Sequence, residues 1–214
     1  MAREPSGARR GGGARGARTR LDVEERRAQL VVAATRLFTQ RAYDEVSMDD
    51  VAAEAGVSKA LVFHYFSTKR ELYVEVVERR ARELIGAIEA VVLAHPELGP
   101  LARLRAGLDA YLRHARADAP AYLALLGAGI GMDREFGAIV ERTRRVFADR
   151  LLEQLPIAAR PDTELAVRGF LGFVEAASVA WLARPELGRE ELVERLVAVL
   201  GAALAPLPSA VSEH

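Results

Sequence analysis

The residues best suited to chemistry lie between positions 47 and 69, in the segment SMDDVAAEAGVSKALVFHYFSTK. Ser47 and Ser58 each stand where a short helical pattern begins, and Gly56 separates the two patterns, as expected for two capped helices joined by a tight turn. Burial of the apolar positions on the second helix leaves six residues exposed: Lys59, Ala60, Leu61, Phe63, His64 and Tyr65. Exposed apolar and aromatic side chains on one helix indicate that the helix binds a large partner. In a helix-turn-helix, the second helix lies in the major groove of DNA.

The same segment contains residue types that suit specific contacts on double-stranded DNA. Ser47 and Lys69 stand at predicted helix N-termini, where free backbone N–H groups and the helix dipole attract a phosphate. Lys59 and Ala60 begin the second helix and are placed for base edges, and a lysine there suits O6 and N7 of guanine. Leu61 is placed to pack on a thymine methyl group. The segment therefore predicts contacts to both phosphates and bases.

This segment resembles the TetR family of bacterial transcription regulators. The shared features are a hydroxyl residue that opens a helix, an apolar-Ala pair, an Ala-Gly-Val-Ser turn, a small residue, an aromatic run ending in Phe, and a Lys. In this chain they are Ser47, Val51-Ala52, Ala55-Gly56-Val57-Ser58, Ala60, Phe63-His64-Tyr65-Phe66 and Lys69. The resemblance is strong over about 50 residues, from Val23 to Tyr73.

The resemblance implies a DNA-binding surface of nine residues: Ser47, Ser58, Lys59, Ala60, Leu61, Phe63, His64, Tyr65 and Lys69. The family usually has Tyr where this chain has Phe63, so one phosphate hydrogen bond is expected to be missing. Alternatives stay open at three positions. Ser58 is expected to act first as a helix cap, Tyr65 can instead pack against the first helix, and Lys69 can simply be solvated.

Helices must position these residues, because apolar residues recur with helical period from Leu21 onward and no β-hairpin signal occurs. Asp22 and Glu25 predict the cap of the first helix. Caps and breaks predict about nine helices, over 22–41, 47–55, 58–66, 68–94, 98–117, 119–128, 133–155, 162–183 and 189–205. At about 1.5 Å per residue the fourth helix is nearly 40 Å long, enough to join two domains. The predicted fold class is all-α, with an N-terminal three-helix helix-turn-helix domain followed by a C-terminal helical bundle.

The charge distribution divides the chain further. The 214 residues carry 30 basic and 30 acidic side chains, yet residues 1–20 have a net charge of +5. This Arg/Gly-rich segment lacks apolar periodicity and is predicted to be a disordered arm, either a solvated leader or a DNA-contacting element. We therefore expect four regions: the arm at 1–20, the helix-turn-helix domain at 21–68, a ligand-binding and dimerisation domain at 69–205, and a flexible tail at 206–214.

The family resemblance implies that the C-terminal region forms a homodimer and binds a small-molecule effector. The segments 162–183 and 189–205 are amphipathic and are the expected dimer contacts, although both can instead close the core of the monomer. Eight residues are candidates for the ligand pocket: Tyr111, His114, Tyr122, Phe136, Phe147, Phe173, Glu175 and Trp181. Each is also compatible with ordinary core or surface, and Glu175 is either exposed or a buried partner for a cationic ligand.

Composition argues against several functions. The chain has no cysteine, and its four histidines are scattered, so we expect no metal site, no cofactor and no catalytic residue. No apolar run approaches the length of a membrane span and no signal peptide is evident, so we expect a cytoplasmic protein. We interpret the chain as a sequence-specific repressor released from a palindromic DNA operator by its ligand. The rival hypotheses are a helical interaction or carrier bundle and a cofactor-free enzyme.

Overall fold

The computed structural model describes residues 12–120, 122–123, 134–155, 161–184 and 186–205. Within those ranges the chain is helical and contains no β-strand, which confirms the all-α prediction. The α-helices of the described ranges are α1 (Gly12–Gln40), α2 (Met48–Ala55), α3 (Lys59–Tyr65), α4 (Lys69–Leu93), α5 (Pro100–Ala117), α6 (Arg134–Gln154), α7 (Pro161–Leu182) and α8 (Arg189–Leu204). The chain divides into two compact units, one ending at Val76 and the other beginning at Val77.

The first helix begins earlier than its sequence signals indicate. The cap predicted at Asp22 is wrong, because α1 begins at Gly12 and passes through Asp22. Residues 12–20 of the predicted disordered arm are therefore helical, and residues 1–11 lie outside the described residues. Alanine and arginine are frequent at positions 14–20 and have high helix propensity, so a helix anchored in the core from Leu30 onward extends backwards at little cost.

The later boundaries lie within two residues of prediction wherever they are described. Of the helix predicted over 119–128, residues 119, 120, 122 and 123 are helical and the others lie outside the described residues. The predicted tail at 206–214 also lies outside them.

The first unit packs α1, α2, α3 and the first turns of α4 around an apolar core. Its fully buried side chains include Leu30, Val51, Val62, Phe66 and Leu72. Gly56 ends α2 in the left-handed conformation (φ 65°, ψ 35°), which lets the chain turn sharply into α3. The core and this turn together fix the orientation of α3 relative to α2.

The second unit packs the later turns of α4 with α5, α7 and α8, and α6 lies against the same core. Residues at its centre include Leu112, Phe170, Leu196 and Leu200. The Nε1–H of the buried Trp181 donates a hydrogen bond to the Leu187 carbonyl (2.9 Å), so this indole is satisfied within the core.

One face of α7 lies in this core and the opposite face is exposed. The buried residues recur at helical spacing and are Thr163, Val167, Phe170, Val174, Ser178 and Trp181. The exposed face carries Leu165 and Phe173, which are 73% and 47% exposed. Among the helices that the structure describes, α7 is the one long and apolar enough to cross a membrane, with a mean hydropathy of 1.5, and 28% of that stretch is buried. An apolar helix that is only partly covered is also what a subunit interface requires.

Candidate nucleic-acid interface and ligand cavity

Ser47 caps α2, as predicted, and forms a reciprocal pair with Asp50. The Ser47 hydroxyl accepts a hydrogen bond from the Asp50 N–H (3.1 Å) and donates one to the Asp50 carboxylate (2.7 Å). The same carboxylate accepts from the Ser47 N–H (2.7 Å). These hydrogen bonds from Ser47, and to a smaller extent the nearby Arg41, lower the pKa of Asp50. The first turn of α2 is therefore held by its own side chains.

Ser58 caps α3 by accepting a hydrogen bond from the Leu61 N–H (3.2 Å). Of the six α3 side chains predicted to be exposed, four are exposed: Lys59, Ala60, Phe63 and His64. The Phe63 ring is 43% exposed, which is high for an aromatic ring without a polar atom. Leu61 is half-buried, while Val62 is fully buried in the core of the first unit. The helix therefore presents an exposed surface that begins at its N-terminal turn.

The predicted base reader, Lys59, forms an ion pair that the sequence analysis missed. Its Nζ lies 2.7 Å from Oδ2 of Asp49, in the first turn of α2. The side chains of Lys59 and Asp49 are 56% and 62% exposed, so water screens their attraction. Lys59 must leave Asp49 before its ammonium group can contact a base.

Lys69 is held by an aromatic residue rather than extended into solvent. Its Nζ donates a hydrogen bond to the Tyr43 carbonyl (3.0 Å) and lies 4.3 Å from the centre of the Tyr43 ring. Tyr43 in turn packs against the rings of Phe38 and Tyr73, at 6.0 and 4.8 Å between centroids. The ammonium group of Lys69 is therefore positioned by Tyr43, in the turn that follows α1.

Tyr65 is half-buried and packs against the core of the first unit. Its carbonyl accepts a hydrogen bond from Nη1 of Arg27 (3.2 Å), and Nη2 of Arg27 donates to Glu75 (2.9 Å). The Arg27 guanidinium also lies 4.3 Å from the centre of the Phe66 ring. Arg27 therefore joins α1 to the end of α3, a structural role that helical periodicity alone does not reveal.

The second unit contains a cavity of about 140 Å³ between α4, α5, α6 and α7. Most of its lining is apolar and comes from residues at helical spacing, such as Leu84, Ile88 and Val92 of α4. Four of the predicted ligand-contacting residues line it: Tyr111, Tyr122, Phe147 and Glu175. An apolar cavity with a few polar groups is typical of a small-molecule site.

The other predicted pocket residues lie elsewhere or are not described. Trp181 belongs to the core, and the exposed ring of Phe173 lies on the outer face of α7. His114 is half-buried, and burial followed by the positive charge of Arg80 lowers its pKa. These three are not part of the cavity lining. The side chain of Phe136 lies outside the described residues.

The polar groups at one end of the cavity satisfy one another. The hydroxyl groups of Tyr111 and Tyr122 are hydrogen-bonded at 2.6 Å, and burial raises the pKa of both. Glu175 forms a two-pronged ion pair with Arg144, with N–O distances of 2.5 to 3.1 Å. This partner, which the sequence analysis missed, already balances the charge that Glu175 would offer to a cationic ligand.

Two family models match the chain. The model described as "Bacterial regulatory proteins, tetR family" matches residues 30–76, which contain α2 and α3. The model described as "Tetracyclin repressor-like, C-terminal domain" matches residues 100–202, which contain most of the cavity.

Individual relatives agree with these matches. The chain is 36% identical over 112 residues to the HTH-type transcriptional activator FasR of Mycolicibacterium smegmatis, a match that covers 52% of this chain and 49% of FasR. The chain thus spans about half the length of this relative. A tetR-family transcriptional regulator from Streptomyces coelicolor has a similar structure, with a TM-score of 0.74 and 32% identity over 84% of this chain and 80% of that one.

A third similarity concerns the fold alone. The transcriptional regulator FadR from Bacillus subtilis, solved in complex with stearoyl-CoA, superposes with a TM-score of 0.67 at 14% identity, over 83% of this chain and 99% of that one. All three similar proteins are transcription regulators rather than enzymes.

Proposed function

The chain belongs to the TetR family of DNA-binding transcription regulators, and from this premise we propose that it is a cytoplasmic homodimer that represses transcription from a palindromic operator. A small-molecule effector, bound in the cavity of the second unit, releases it from DNA. The exposed α3 carries the proposal, because its N-terminal turn is capped, rigidly held and offers Lys59 beside an exposed aromatic ring.

On DNA, we assign the base contacts to the start of α3 and the phosphate contacts to its flanks. Lys59 leaves Asp49 and donates to guanine O6 and N7, while Ala60 and Leu61 lie against the groove floor. Ser47, Lys69 and His64 contact phosphates, with Tyr65 and Ser58 contributing mainly structure. Phe63 has no hydroxyl group, so it contributes apolar contact where the family usually has a tyrosine.

The dimer is proposed to form through α7 and α8. The exposed stripe of α7 combines large apolar residues with small ones that permit close helix approach: Leu165, Gly169, Gly172, Phe173 and Ala176. The exposed side of α8 continues this pattern with Ala198, Gly201 and Ala202. Two such helices from each subunit can bury the stripe in a four-helix bundle. Two-fold symmetry would then require two half-sites about 34–36 Å apart, or a multiple of that distance.

Release is proposed to act through α4, which is one continuous helix from Lys69 to Leu93. Its first residue is a proposed phosphate contact, and Leu84, Ile88 and Val92 line the cavity. An effector that binds more tightly to a tilted α4 needs a preference of only about 1–3 kcal/mol to weaken operator binding about 5- to 150-fold. The FadR structure supports this proposal, since that protein, with the same fold, binds stearoyl-CoA.

Activation is the second candidate, and the identity with the activator FasR favours it. Both modes use the same DNA contacts, so they differ only in where the operator lies. An operator that overlaps the promoter indicates repression, whereas one upstream of it indicates activation. Transcription from the bound promoter in a purified system distinguishes the two.

The proposal is tested by selecting a binding sequence from random DNA and footprinting the full-length protein on it. We expect a two-fold symmetric footprint, and K59Q should relax the preference at one base pair per half-site at a cost of about 1–3 kcal/mol. R36Q is the matched control, because Arg36 is exposed, pairs with Glu54 and lies outside the proposed contacts. An asymmetric footprint, or equal effects of both variants, would contradict the proposal.

A further inference from the structure

The charges that line the cavity of the second unit do not balance. Three arginines and one carboxylate line it: Arg103, Arg144, Arg150 and Glu175. Glu175 balances Arg144 through its two-pronged ion pair, and Arg150 pairs with Glu89 (3.2 Å) and Glu153 (3.5 Å). Among the described residues, Arg103 is therefore the lining cation without an ion-pair partner.

Arg103 is also incompletely hydrogen-bonded. Its Nη2 donates to the Pro96 carbonyl, but its Nε is buried and has no acceptor among the described residues. The charge of Arg103 also lowers the pKa of Glu97, but it is the smallest of the effects that do so. Because Arg103 lines the cavity and no described carboxylate pairs with it, an anion that enters the cavity can balance the charge of its guanidinium group.

The residues that line the cavity extend along several turns of its helices. Arg103 and Tyr111 line it eight residues apart on α5, about 12 Å along the helix axis, and Leu84 and Val92 are the same distance apart on α4. Gly107 lies between Arg103 and Tyr111, where an added Cβ would stand 3.6 Å from Ile88 and from Val92. Aliphatic side chains thus line the space between Arg103 and the tyrosine pair, which suits an aliphatic ligand.

The cavity volume indicates the size of a chain that it can hold. A water-sized group needs about 10–15 Å³ of such space, so 140 Å³ accommodates on the order of ten groups of that size. Resting on the proposed effector role of this cavity, we infer that the ligand is an aliphatic carboxylate of about ten carbon atoms, with its carboxylate bound to Arg103 and its chain directed toward Tyr111.

The experiment titrates the full-length protein, without DNA, by calorimetry with three ligands of equal chain length: decanoate, 1-decanol and decylamine. Removing one charge-assisted hydrogen bond costs about 10- to 100-fold in affinity, so decanoate should bind the wild type more tightly than decanol by that factor. R103Q should abolish this difference. R105Q is the matched control on the same helix, because Arg105 pairs with Glu194 outside the cavity, and it should retain the difference.

A second variant distinguishes the contribution of the ligand's aliphatic chain from that of its carboxylate. G107V adds bulk between Arg103 and Tyr111, so it should weaken decanoate and decanol equally and leave their ratio unchanged. In the wild type, a series from hexanoate to hexadecanoate should bind most tightly near ten carbons. Helical content and melting temperature, measured for each variant, distinguish the removal of a single interaction from unfolding of the protein.

Four results would overturn the inference: equal binding of decanoate and decanol, preference for decylamine, no binding of decanoate, or tighter binding of decanoyl coenzyme A than of the free acid. None of these results bears on whether the protein binds an operator. Conversely, a protein that binds decanoate through Arg103 but never protects DNA would refute the proposed function while leaving the cavity's ligand class intact.

Discussion

Replacing Asp49 with asparagine tests whether its ion pair with Lys59 holds the lysine side chain back from DNA. In the free protein the Lys59 Nζ lies 2.7 Å from the Asp49 carboxylate, and this ion pair must break before the ammonium group can reach a base. Asparagine keeps the shape of the side chain but removes the charge. We therefore expect D49N to bind operator DNA more tightly than the wild type does.

The solvent exposure of Lys59 and Asp49 determines how much D49N should strengthen operator binding. Because both side chains are more than half exposed, the attraction is that of a surface ion pair, about 0.2–1 kcal/mol. Its removal should strengthen operator binding by about 1.4- to 5-fold. Removing any carboxylate near DNA phosphates adds a further gain that has nothing to do with Lys59.

E54Q supplies the matched control for that general gain. Glu54 also lies on α2 and pairs with Arg36 at 3.3 Å, and Arg36 is not a proposed DNA contact. Both variants remove one carboxylate from the same helix, so the difference between them isolates the release of Lys59. Affinity for operator and for unrelated DNA would be measured by fluorescence anisotropy at two salt concentrations.

The same two substitutions are then repeated in a K59Q background, where no ammonium group is left to release. There, D49N and E54Q should have equal effects. The reasoning is refuted if D49N tightens binding of the wild-type background no more than E54Q does. It is also refuted if D49N weakens binding, because Asp49 would then itself contact DNA, for example by accepting from a cytosine amino group.

Four further predictions concern stability, assembly and the N-terminal segment. F173E should convert the dimer to a monomer in sedimentation, whereas L101E, which alters an exposed apolar residue on α5, should not; an unchanged dimer would place the interface elsewhere. S58A should destabilise the first unit by about 0.5–2 kcal/mol in denaturant unfolding because α3 loses its cap, and S67A, which changes an exposed hydroxyl before α4, should have little effect. Y111F should cost about 0.5–1.5 kcal/mol because the buried Tyr122 hydroxyl loses this hydrogen bond and keeps the one to Ser178, and adding Y122F should cost less than the sum of the two single changes; additive losses would mean that the hydroxyl pair is not coupled. Deleting residues 1–11 should reduce the slope of log K against log salt by about 0.9 for each phosphate that the segment neutralises, and an unchanged slope would mean that the segment does not touch DNA.

Boundaries and the local core were predictable because short-range chemistry determines them. Ser47 and Ser58 can each satisfy a backbone N–H three residues on, and Gly56 adopts the left-handed conformation that ends α2. Such signals act within one turn, so they are readable in a single sequence. The start of α1 had no equally clear signal, since Asp22 resembles a cap although the helix passes through it.

The partners of the functional side chains were not predictable in the same way. Lys59 pairs with a residue 10 positions away and Glu175 with one 31 positions away, so packing between helices decides both ion pairs. Periodicity identifies which face of a helix is buried but not which charge meets which. Their aromatic side chains made Tyr111 and Phe147 recognisable as pocket candidates in the sequence. The arginines of the cavity could not be distinguished from ordinary surface charges, because only the fold brings them together.

The ion pairs of the first unit also bear on how the proposed DNA-binding surface discriminates between sequences. Lys59 pairs with Asp49, Arg36 with Glu54 and Arg27 with Glu75. Breaking the pair at Lys59 costs the same on any DNA, about 1 kcal/mol or less for a surface pair. Only a correctly placed guanine returns a hydrogen-bonded contact of about 1–3 kcal/mol, whereas at an unrelated sequence the lysine does best by staying with Asp49. On the proposed contacts, the net gain from Lys59 is therefore confined to sites that present this guanine, so the ion pair makes the side chain contribute to selectivity rather than to general affinity for DNA.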